Sequence, residues 1–219
     1  MLDILVYIII PYLSIAFFIV GLVFNLSYGK LRNSAPATGF FEKNKLNTGS
    51  PLWHYGIIIV LIGHLSGLLL PGLFKLLFTN YSVLLLFEAL AVSSGLIAFI
   101  GILVLLIRKF AVKSVNKHSL FTDYIFMILL FIQVVLGLII AINYKWGIAW
   151  YVSNITKYLW SILILSPQVK YVEGFPILVT FHFLIAFILF AILPFTRLIH
   201  VVFVPIGYFF RKPQRIIYN

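Results

Sequence analysis

Residues 51–72 read PLWHYGIIIVLIGHLSGLLLPG. From Pro51 to Leu70 there is no Asp, Glu, Lys or Arg. At about 1.5 Å of rise per residue, such a run crosses a hydrocarbon layer roughly 30 Å thick as one helix. Two imidazoles, His54 and His64, interrupt it. An ionisable ring in lipid is rare and costly, and marks either a functional position or a hydrogen-bonded bundle residue.

Four further stretches have the same character: Ile4–Tyr28, Ser82–Ile107, Leu120–Asn143 and Ile177–Pro205. Together they predict an all-α transmembrane bundle of five helices forming one domain over 1–219. The run Trp146–Leu165 contains Asn154, Lys157 and several aromatics. It reads as an interfacial or short re-entrant piece. Pro11 and Pro194 fall inside spans and predict kinks. The first span lacks a positive leading segment and a small-residue cleavage site, so it reads as a retained helix.

Composition agrees. Of 219 residues, 63% are hydrophobic and 10% charged, against about 45–50% and 25% in soluble domains. That excess excludes a soluble enzyme or a disordered tail. The net charge is +11, but the cations lie in the breaks between apolar runs, so no nucleic-acid partner is implied. Lys30, Arg32, Lys43 and Lys45, then Arg108, Lys109, Lys113 and Lys117, then Arg211, Lys212 and Arg215 fall on one side. This bias predicts an outside N-terminus and an inside C-terminus in the cell membrane. His118, beside Lys117, reads as a solvated loop residue. Asn80 and Asn154 head glycosylation sequons on predicted outer loops, a match that arises easily by chance.

Four of the five histidines lie in two spans: His54 and His64 in the second, His182 and His200 in the fifth. Ten residues are about 15 Å of helix, so His54 and His64 cannot share one zinc ion. Eighteen residues make five turns, so His182 and His200 share a face. Because the two spans run in opposite directions, His54 and His200 form an inner pair and His64 and His182 an outer pair. Two bis-histidine b-type haems require such pairs. No cysteine is present to attach haem covalently, and methionine is limited to Met1 and Met127. On straight helices the second pair of spacings is about 27 Å against 15 Å, a mismatch that tilt or a kink at Pro194 must absorb. Gly56, Gly63 and Gly67 permit close approach of a macrocycle or of another helix. Arg197, one turn before His200, suits either a haem propionate or an interfacial anchor.

The segments PLWHYGIIIVLIGHLSGLLLPG and FHFLIAFILFAILPFTRLIHVVFVP (181–205) resemble the gamma subunit of respiratory nitrate reductase, a membrane di-haem cytochrome b. The resemblance extends over essentially the whole chain, with 71–90 and 144–176 matching poorly. It implies quinol oxidation near the outer haem and transfer through the inner haem to an iron–sulfur subunit and a molybdenum catalytic subunit. The family has a lysine near the start of the third span, associated with the quinol site; here that stretch reads YSVLLLFEALAV. Glu88, the acidic residue within this third span, is therefore the candidate acceptor of a quinol proton; a hydrogen-bonded interhelical carboxyl is the alternative. Another acceptor, such as a sulfur-compound or heterodisulfide-type reductase, fits the same design. A non-haem transporter or assembly subunit is a rival, disfavoured by the lack of repeat halves. The 29–50 loop and the tail after Pro205 are the candidate docking segments for the partners.

Overall fold

A computed structural model describes residues 2–27, 42–117 and 119–196. Among them there is no strand, and five helices are long and apolar enough to cross a membrane. They are α1 (Leu5–Ser27), α2 (Asn44–Leu69), α3 (Tyr81–Ala111), α4 (Phe121–Asn143) and α5 (Ile177–Ile192), the last closed by a 3-10 turn, Leu193–Phe195. The chain is a multi-pass membrane protein. His118, Arg197 and His200, most of the 29–50 loop and the tail after Pro205 lie outside the described residues.

Helix α2 starts earlier than its apolar run. The Glu42 carboxylate accepts the Lys45 amide at 2.8 Å and the Arg108 Nε at 2.9 Å, while Arg108 also donates to the Glu42 carbonyl at 2.9 Å. A carboxylate at a helix N-terminus satisfies an orphan amide and complements the dipole. The Lys45 amide, followed by Arg108, holds the Glu42 carboxyl below its ordinary value. Polar residues 44–50 thus become helical, and Pro51 sits inside the helix rather than opening it. At the same end, Lys109 reaches Asp123 at 3.6 Å and lies over the Tyr124 ring at 4.9 Å. We refer to this as the basic end.

Helices α2 and α3 pack antiparallel with backbones almost touching. A Cβ at Gly56 would come 2.7 Å from the Ser94 carbonyl oxygen, and one at Gly101 would strike the Trp53 backbone. Helix α4 joins through Gly95 beneath Leu138 and through the Phe99–Phe131 ring pair. Helix α1 packs on α5, where Phe18 and Phe190 stack at 4.0 Å.

The prolines act as the missing N–H requires. Pro11 cannot donate to the carbonyl of Tyr7, and the chain just before it widens into a π-turn, Leu5–Ile9. The Tyr158 hydroxyl supplies the missing donor at 2.6 Å. Pro194 does more than kink its helix. The α-helix ends at Ile192, Thr196 is extended (ψ 165°), and buried Asn25 donates to the Pro194 carbonyl at 2.6 Å. The expected break at Pro194 is present, and the remainder of the predicted fifth span, 197–205, lies outside the described residues.

The run Trp146–Leu165 is a helical segment with a π-turn at its centre: Gly147–Trp150, Tyr151–Ile155 and Thr156–Leu163. Left-handed Trp146 (φ 65°) and Leu165 (φ 59°) bracket it. It lies against the ends of α1 and α2 remote from the basic end. There Tyr158 and Ile162 join Val6, Tyr7 and Val172 in a buried cluster. Asn154 is inside this helical segment rather than in a loop, and Asn80 caps α3 by accepting the Ser82 amide at 3.0 Å.

Candidate functional site

Helix α2 carries His54 and His64 exposed on its flank. In each, Nδ1 meets the carbonyl one turn back, Ser50 at 2.7 Å and Val60 at 2.8 Å. A carbonyl only accepts, so Nδ1 carries the hydrogen and Nε2 keeps its lone pair. An imidazole that binds a metal through one nitrogen is usually oriented in this way through the other. Of the three glycines, Gly56 is explained by packing on α3 and Gly67 by the Tyr151 ring. Gly63 has no neighbour within 4 Å of where a Cβ would stand.

His182 enters from α5 and lies on α4. The absent side chain of Gly137 makes room for it, since a Cβ there would come 3.1 Å from the imidazole Cε1. Its Nε2 is 3.2 Å from the Gln133 amide nitrogen. Its Nδ1 and the Gln133 Oε1 are both buried without a hydrogen-bond partner. Orphaned buried polar atoms are few in folded proteins and call for an explanation. His64 and His182, expected as the outer pair, stand on two spans that the Trp146–Leu165 run bridges, Tyr151 meeting the His64 ring and Tyr158 the ring of Phe183, the residue after His182. Among the described residues no three His, Cys, Asp or Glu side chains gather at one point.

Glu88 lies on the inward stripe of α3, four residues after buried Leu84 and seven before buried Gly95. The antiparallel register, with Gly49 opposite Leu105 and Gly56 opposite Ala98, continues to put His64 level with the turn around Leu90. Glu88 is therefore at the depth of His64. It is half-buried, and among the described residues it has no hydrogen-bond or ion-pair partner. An interhelical hydrogen bond, the alternative for this carboxyl, is not formed among them.

Sequence reasoning missed Tyr151. Its hydroxyl donates to the His64 carbonyl at 2.8 Å, and its ring meets the His64 ring edge-on at 5.3 Å. Burial pushes this phenol up to about 12. The only signal in the sequence was the aromatic density of the weak run.

Comparison with known proteins bears on this arrangement. The family model described as "Nitrate reductase gamma subunit" matches residues 3–219. The chain is 28% identical over 210 residues to the nitrate reductase gamma chain of Bacillus subtilis (strain 168), covering 93% of both. It is 26% identical over 217 residues to the respiratory nitrate reductase 1 gamma chain of Escherichia coli (strain K12), covering 93% of this chain and 92% of the relative. The respiratory nitrate reductase 2 gamma chain of the same bacterium is 28% identical over 216 residues, covering 97% and 96%.

Proposed function

The chain belongs to the nitrate reductase gamma subunit family, and from that premise we propose that it is the di-haem cytochrome b subunit through which a respiratory oxidoreductase complex draws electrons from membrane quinol. The observation that carries this reading is a pair of imidazoles on two different spans, His64 and His182, each with a ring nitrogen that no described residue engages. His64 leaves one nitrogen free, and His182 sits in a glycine cradle with a partnerless nitrogen. These residues fit haem. Haem held by the histidine pairs would supply one-electron carriers at two depths of the bilayer.

The chain's own groups do the rest. The Ser50 and Val60 carbonyls fix the tautomer and ring plane of His54 and His64. His200 is the fourth ligand in this reading, paired with His54, and Arg197 is the propionate partner. The basic end faces the inside by the Lys/Arg rule, which puts His64, His182 and Glu88 toward the outside. There Glu88 accepts a proton from quinol at its carboxylate and passes it outward. Electrons leave toward the basic end, where the iron–sulfur subunit and, beyond it, the molybdenum catalytic subunit of nitrate reductase dock. Each elementary charge crossing the whole membrane couples to about 2.3 kcal/mol per 100 mV.

The test is quinol-driven haem reduction in membranes containing the complex. Wild type gives a b-type spectrum with two redox components, reduced by added quinol. In Glu88→Gln, quinol-driven reduction slows by about 10²–10⁴-fold, the usual worth of a general base, while dithionite reduction is unchanged. A colourless wild-type protein overturns the cytochrome reading. An unslowed Glu88→Gln overturns the role of the carboxylate alone.

A further inference from the structure

The 147–163 segment touches both the helix that carries His64 and the helix that carries His182. On the α2 side, the Tyr151 hydroxyl donates to the His64 carbonyl at 2.8 Å and the Trp160 indole nitrogen donates to the Leu68 carbonyl at 2.9 Å. The Tyr151 ring fills the space left by Gly67, where a Cβ would come 2.9 Å from Cε1, and stands edge-on to the His64 imidazole at 68°. On the α5 side, Tyr158 donates to the Tyr7 carbonyl that Pro11 leaves free, and the Tyr7 hydroxyl bonds the Thr180 hydroxyl at 2.8 Å. Thr180 is two residues before His182. Phe183, the residue after it, packs its ring against both Tyr7 (5.6 Å) and Tyr158 (5.3 Å). Tyr151 also opens the π-turn of the segment, a distortion found disproportionately at functional sites.

We propose that Tyr151 is a positioning residue for His64, and that the 147–163 segment is a clamp that sets the spacing and ring orientation of the His64–His182 pair. The proposal rests on the haem reading above. The Val60 carbonyl holds His64 Nδ1 from within its own helix, which leaves the ring free to rock about that bond. The Tyr151 ring edge blocks that rocking on one side, and its hydroxyl fixes the backbone from which the imidazole projects. An axial imidazole transmits its orientation and hydrogen bonding to the metal as a change in reduction potential. The Tyr7–Tyr158 bond carries the same constraint across to α5.

The experiment is a redox titration of the full chain in its native membranes, followed optically and by low-temperature electron paramagnetic resonance. Wild type is compared with Tyr151→Phe, which removes only the hydroxyl, Tyr151→Leu, which also removes the ring, and Trp160→Phe. The last breaks the neighbouring tie to α2 without touching His64. In Tyr151→Phe the outer component changes its reduced-to-oxidised ratio at fixed potential by at least threefold, about 28 mV for one electron. Its low-field resonance moves, and both effects grow in Tyr151→Leu. The inner component stays in place throughout, and Trp160→Phe, which loosens the clamp away from His64, moves the outer one by less than Tyr151→Phe does. An unmoved outer component in both Tyr151 variants overturns the proposal. So does an equal shift in Trp160→Phe, or loss of both components in Tyr151→Phe, since either makes the contact general scaffolding. A wild-type protein without haem signals overturns the underlying reading, and no titration wave then exists in any variant.

Discussion

Among the described residues, the closest approach at a glycine lies between α2 and α3, and it makes a quantitative prediction. Replacing Gly56 with Ala puts a methyl carbon 2.7 Å from the Ser94 carbonyl oxygen and 2.8 Å from the Ala98 Cα. Non-bonded carbons are comfortable at about 3.5–4.0 Å, so the helices must part by roughly 0.7 Å. These neighbours are backbone atoms, so no side-chain rotation relieves the clash. Inserting a methyl into so tight a contact costs about 1–3 kcal/mol. Gly101→Ala meets the Trp53 backbone in the same way, about one turn nearer the basic end. One separation of the helices relieves both, so the double variant falls short of the sum. Gly63→Ala is the control: nothing lies within 4 Å of the added methyl, and replacing a helical glycine contributes about 0.5–1 kcal/mol in the opposite direction. Thermal or denaturant unfolding in a mild detergent, read by helical circular dichroism, measures all four. Gly56→Ala as stable as Gly63→Ala would refute the claim that these backbones are in contact.

Other outcomes follow from the ends of the bundle. The Glu42 carboxyl is held low by the Lys45 amide and Arg108, so its contribution is present above the ordinary carboxylate value of 4.5 and is lost as pH falls through the lowered one. Acid unfolding of Glu42→Gln should therefore be shallower than that of wild type, with the two curves converging at low pH. Tyr151 runs the other way: its phenol is raised from 10.0 to about 12 by burial, so stability is full below pH 10 and falls as pH rises from 10 toward 12. The difference in alkaline unfolding between wild type and Tyr151→Phe shows this directly. Gln133→Leu removes an orphaned Oε1 but also strips buried His182 Nε2 of its hydrogen bond, so it costs about 1–3 kcal/mol. A loss beyond that range would mean that the amide is fully satisfied in the folded protein.

The five spans were legible because lipid demands long apolar runs and little else in this chain meets that demand. Their ends were less so. The start of α2 depends on Glu42 finding Arg108, 66 residues away, a pairing that no local pattern announces. The end of α5 depends on the backbone at Pro194, whose carbonyl accepts from Asn25 of α1, 169 residues away. Among the candidate residues, the placement of His64 and His182 on two different spans was legible from the apolar runs alone. The inward aim of Glu88 is written in its spacing from Leu84 and Gly95. Tyr151 was hidden because its partner, His64, is 87 residues distant, and because an aromatic-rich amphipathic run looks the same whether it lies on a membrane or clamps a site.

Whether His64 and His182 hold one haem between them is tested most directly by counting spectral components in single-ligand variants. Purified wild type should carry two b-type haems with separable redox waves. His64→Ala and His182→Ala should each lose the same wave, and His54→Ala the other. A wild-type protein without haem, or His64 and His182 variants that lose different waves, would contradict the account.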